Sequence, residues 1–183
     1  MTNWIEAALW AHPAAEALQV KGVRVRLERR RANSLALRFE IFAAADTVVL
    51  PPRAAPLRAH HLWETTCFEM FLRSRGDSGY REFNFSPSGQ WAAYEFTGYR
   101  AGMVQTPVAA PPAIHVHCDA DRIVADIEVR LDLQREPHDV GLCAVVEERA
   151  FGKSYWALSH GASSPDFHHR SCFASELPPP PRP

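Results

Sequence analysis

The stretch that decides the fold runs from residue 62 to residue 97, LWETTCFEMFLRSRGDSGYREFNFSPSGQWAAYEFT. Three apolar and aromatic runs are divided there by two groups of turn residues. In residues 64–72, Thr66, Phe68, Met70 and Leu72 alternate with Thr65, Cys67, Glu69 and Phe71, and a period of two predicts a strand. Residues 73–79 read as a polar turn. Residues 80–86 alternate again, with Arg81, Phe83 and Phe85 on one face and Tyr80, Glu82, Asn84 and Ser86 on the other. Ser86-Pro87-Ser88-Gly89 predicts a turn, because proline presets one φ angle and glycine accepts a positive one. Residues 90–97 then return, which makes the stretch a three-stranded antiparallel meander.

The polar faces of that meander carry the functional question. Trp63 and Glu69 are an even number of residues apart and would project to the same side of a regular strand; Glu82 and Asn84 share a side as well. If register brings these faces together, one sheet surface offers an aromatic plate, two carboxylates and a carboxamide. Such a surface suits a polyhydroxylated ligand, the ring covering C–H faces while the polar groups fix hydroxyls. The competing reading is an ordinary solvated face with Trp63 half-buried at its edge, since antiparallel sheets commonly keep one wet side.

Working outward, residues 21–29 place Val23, Val25 and Leu27 inside, with Arg24, Arg26 and Glu28 outside, and residues 34–42 alternate through Leu35, Leu37, Phe39 and Ile41. A short strand is expected at 47–50, stopped by Pro51-Pro52, and residues 51–61 form a loop leading to Trp63. Residues 98–112 make a long irregular connection, a candidate rim for a binding site. Strands resume at 113–118 and 123–131 as a hairpin, then at 140–148 and 153–158 across a turn. A polar loop, 159–171, precedes a last strand at 172–177. Residues 3–12 have room for a short helix ended by Pro13. About ten short strands with frequent turn signals predict an all-β sandwich or barrel, with Phe68, Phe83, Phe85, Ile127 and Val145 in its core. The chain divides into an N-terminal segment (1–19), a β-sandwich (20–177) and a proline-rich tail (178–183), PPPPRP, which is stiff and unable to join a sheet.

Composition narrows the function classes. With 183 residues the chain has the length of one domain, and 20 basic against 21 acidic residues leave a net charge of −1. No global basic field exists for nucleic acid or an anionic membrane. The arginines at 24, 26, 29, 30 and 31 are punctuated by Glu28 and read as a solvated edge. No secretory leader and no run long enough to span a membrane is visible. Cys67, Cys118, Cys143 and Cys172 are scattered through strand-like runs without a CxxC pair, which fits reduced, mostly buried thiols in a cytoplasmic protein. His115 and His117 share a strand face, as two metal ligands would, but no third ligand is specified, so no metal site is assigned. GxSxG, HExxH and phosphate-loop patterns are absent. Glu69 and Glu82 could act as an acid/base pair on a glycoside, yet sequence does not set their separation; no catalytic residue is assigned.

The blocks WETTCFEMFL, YREFNFSPSGQWAAYEF, KSYWALSH and PDFHHRSCF, in that order and spacing, resemble the DOMON-like superfamily, in its subgroup similar to family 9 carbohydrate-binding modules. The resemblance covers about residues 20–177 and implies an antiparallel β-sandwich of jelly-roll type that binds sugars without catalysis. It implies Trp63 as one plate of an aromatic clamp, Glu69 as a hydroxyl-binding carboxylate, and Glu82 and Asn84 as further hydrogen-bonding groups. Sugar-binding members take a second plate from the loop before the last strand, where this chain has Phe167 and His168 in place of a tryptophan. Another branch of the superfamily binds b-type haem through a Met and a His. Met70, Met103 and His168 are the residues available for that alternative, and a protein-interaction sandwich without a small ligand is the other.

Overall fold

A computed structural model describes residues 4–15, 17–133 and 136–180. The chain is all-β. Its strands are β1 (Trp4–Ala11), β2 (Gly22–Arg31), β3 (Ser34–Phe42), β4 (Cys67–Ser74), β5 (Tyr80–Phe85), β6 (Trp91–Phe96), β7 (Val104–Gln105), β8 (Ala113–Cys118), β9 (Arg122–Arg130), β10 (His138–Glu148), β11 (Gly152–Ala157) and β12 (Ser175–Leu177). Among the described residues there is no α-helix, only 3₁₀ turns at Ala45–Thr47, Leu62–Glu64 and Arg170–Cys172. The strands form one antiparallel sheet in the order β7-β6-β5-β4-β10-β11-β1-β2-β3-β9-β8, with β12 paired to the start of β10.

The sheet curls over its own apolar face. Strand β1 is the corner: Trp4 to Leu9 pair with β2, while Trp10 and Ala11 pair with β11. The two halves then meet, and Phe39 of β3 stacks on Phe68 of β4 with ring centroids 4.8 Å apart. Leu27, Leu37, Ile41 and Ile127 from one half pack in this core with Met70, Phe83, Phe85 and Leu142 from the other. A regular alternation on nearly every strand makes this possible, because each strand then has one largely apolar side to bury.

The meander forms with the predicted faces. Phe68 lies opposite Phe85 and Met70 opposite Phe83 on the core side, and Glu69 lies opposite Asn84 on the other. The predicted turn closes the β5–β6 hairpin: the Gly89 N–H donates to Ser86 O at 2.9 Å, and Gly89 holds φ +95°.

Several expectations are corrected. Trp4–Ala11 is a strand, not a helix, because its backbone groups complete the ladder along β2, and only Leu9 within it is fully buried; residue 3 lies outside the described residues. The strand expected at 47–50 shrinks to one bridge, Val48 to Glu148, since Pro51 and Pro52 have no amide to extend a ladder. The last strand starts at Ser175, after the Arg170–Cys172 turn. Val145 is buried, but on the sheet face opposite the core. Arg29 is not part of a solvated edge; it continues the inward row of Val23, Val25 and Leu27 and is buried. Of the four thiols, Cys118 is exposed on the outer strand β8 and the other three are buried. Of the tail, 181–183 lie outside the described residues.

Candidate functional site

The second face of β4, β5, β6, β10 and β11 is not wet. It carries its own apolar cluster, including Phe71, Tyr80, Tyr94, Phe96, Val145 and Phe167. Two loops cover it, residues 98–103 and 159–173. The second of them lies close to the sheet: a Cβ at Gly141 of β10 would meet Cys172 O at 3.1 Å. Asp166 fastens the loops together, accepting from Tyr99 Oη at 2.5 Å and from an Arg100 guanidinium nitrogen at 2.7 Å.

Beneath the loops lies an open cavity of about 590 Å³. Its floor is Glu69 of β4 and Glu82 of β5, only 4% and 5% exposed. This corrects the reading of the pair as carboxylates on a solvated face. Its walls are aromatic: Trp63, Tyr94, Phe96, Tyr155 and Phe167. Arg100, Met103, Lys153 and His168 complete the lining with Glu64, Val145 and Pro165.

Five of the six residues singled out from the sequence reach this cavity: Trp63, Glu69, Glu82, Phe167 and His168. Asn84 does not. It is fully buried behind the floor, where its Nδ2 donates to Glu82 Oε1 at 2.6 Å and fixes that carboxylate. Trp63 arrives by a different route from the one expected. It sits on the Leu62–Glu64 turn rather than on β4, delivered by His61 in a left-handed conformation (φ 58°), and remains 39% exposed at the mouth. Met70 faces the core, so of the residues weighed for haem only Met103 and His168 meet the cavity.

His168 is locked in place. Tyr80 Oη accepts from the backbone N–H of Arg100 at 3.2 Å and shares a hydrogen bond with His168 Nδ1 at 2.7 Å. The other ring nitrogen, Nε2, lies 3.7 Å from Glu82 Oε2. Burial, reinforced by the Arg100 charge, lowers the His168 pKa to about 4, so the ring is neutral at pH 7. Burial also holds the Glu69 carboxyl well above the usual carboxylate range; the Glu82 charge adds to this and Arg100 opposes it. Glu82 is raised by burial too, against the opposing pull of the Asn84 hydrogen bond and of Arg100.

Some cavity residues escaped sequence reasoning. Tyr94 and Phe96 share the parity of Glu82 once the hairpin register is known, since Glu82 lies opposite Tyr94. Tyr155 follows likewise from its pairing with Val145. Arg100 had no local signal, because its place depends on Asp166, 66 residues away.

No family model and no curated protein sequence matches the chain. Solved structures do share its fold. A candidate carbohydrate-binding protein of Bacteroides uniformis ATCC 8492 superposes with a TM-score of 0.59 at 12% identity, over 91% of this chain and 83% of that one. A family 9 carbohydrate-binding module from Caldicellulosiruptor kristjanssonii, in complex with glucose, superposes with a TM-score of 0.51 at 9% identity, over 92% and 81%. At these identities the likeness is one of fold.

Proposed function

We propose that the chain is a noncatalytic carbohydrate-binding domain of jelly-roll type, related to the family 9 modules, which holds its ligand in the cavity above Glu69 and Glu82. The observation that carries this reading is the composition of the cavity. Buried carboxylates on the floor can accept hydroxyl hydrogen bonds, and aromatic walls can cover the apolar C–H faces of a sugar ring. The glucose-bound module with the same fold adds support. Catalysis has less support, because both carboxylates rise from adjacent strands of one floor, whereas glycoside hydrolysis needs carboxyl groups flanking the scissile bond. Haem has less support as well: Met70 faces the core, and both ring nitrogens of His168 face protein groups, Tyr80 and Glu82.

The test is a panel of mono- and disaccharides read by tryptophan fluorescence, with Trp63→Ala as the comparison. A bound sugar should lose about thirtyfold in affinity on removal of the ring, while the far-ultraviolet circular dichroism stays unchanged. No binding across the panel, or binding that survives both Trp63→Ala and Glu69→Ala, would overturn the proposal.

A further inference from the structure

Resting on the carbohydrate reading, we infer that the cavity selects a sugar bearing a protonated amine over the neutral sugar of the same shape. The floor holds two buried acids that no lysine or arginine among the described residues pairs with, and burial keeps their carboxyls above the usual range until a cation arrives to favour the ionised form. Glu69 is more than nine-tenths buried, lines the cavity, and receives no hydrogen bond to its carboxylate from any described residue. Glu82 receives one, from Asn84. Arg100 lines the cavity and its charge opposes the rise of both carboxyls, but its guanidinium is bonded to Asp166 and forms no ion pair with either of them. Lys153 lines the cavity without an ion pair to either carboxylate among the described residues. His168 stays neutral at pH 7.

A buried carboxylate with no donor is costly unless a ligand supplies one. A hydroxyl offers a single hydrogen and no charge. An ammonium offers three hydrogens and a full positive charge, which lets one group serve both Glu69 and Glu82. The surrounding rings favour the same choice, since aromatic side chains such as Trp63, Tyr94 and Tyr155 attract a cation that meets a ring face. A sugar acid would add a further carboxylate to this buried acidic pair and be disfavoured.

The test is calorimetric titration at pH 7 of glucosamine, galactosamine and mannosamine, each beside its neutral parent, with N-acetylglucosamine and glucuronate as controls. The amine of the preferred stereoisomer should bind at least about tenfold more tightly than its parent. N-acetylglucosamine should show no such advantage, and glucuronate should bind weakest. Glu69→Gln, which keeps the shape and removes the ionisable group, should cut the amine preference to less than about threefold. A neutral parent that binds as tightly as its amine overturns this inference alone, as does a preference unchanged in Glu69→Gln. A panel in which no sugar binds overturns this inference and the carbohydrate reading together.

Discussion

His168 and the floor glutamates respond to pH with opposite signs. The folded-state pKa of His168, about 4, lies below the ordinary value of 6.5. Between those values the unfolded chain holds a proton that the folded chain lacks, so this residue's contribution to stability is present above 6.5 and is lost as pH falls through 4. The carboxyls of Glu69 and Glu82 are raised instead. Their contribution is present at low pH and is lost as pH rises above the ordinary 4.5 and through their folded values. Wild-type stability therefore sums two opposing slopes, and His168→Gln removes one of them. Urea denaturation at stepped pH should show the wild type losing roughly 3 kcal/mol relative to His168→Gln between pH 7 and pH 4. A difference that stays constant over that range would mean that the ring is not held neutral under the loops.

At the scale of elements, the closing loop depends on one carboxylate. Asp166 binds Tyr99, Arg100 and the backbone N–H of His168, the last at 3.1 Å, and so sets the positions of Phe167 and His168 over the floor. Asp166→Ala should raise amide hydrogen exchange across residues 165–169, leave β4 to β6 protected, and weaken sugar binding by about tenfold. Unchanged exchange in the loop would show that packing alone holds it. The strands were legible because alternation is a local signal: Glu69, Glu82 and Asn84 declared their common face through spacing, and β4–β5 register then joined them. Strand β1 was not, since its strand state depends on the ladder with β2 rather than on its own Ala-rich sequence. Trp63 reached the predicted cavity through a turn that no periodicity announces, and Arg100 through a partner distant in sequence. Loops that meet by long-range hydrogen bonds leave no period to read.

For the molecule as a whole, one curled sheet carries two separate apolar clusters, one between its halves and one beneath the covering loops. The first, with Phe39 stacked on Phe68, holds the fold; the second surrounds acids that an ordinary core would exclude. This division explains why Val145 is as buried as a core residue and yet lines the cavity. It also means that ligand contacts can change without disturbing the packing that closes the sheet. The most direct measurement is a crystal structure of the protein with the tightest-binding sugar of the panel. The account predicts density in the cavity, with the sugar ring against Trp63 or Phe167 and a hydrogen-bond donor of the ligand about 3 Å from Glu69. A sugar bound elsewhere on the sheet, with Glu69 and Glu82 untouched, would contradict it.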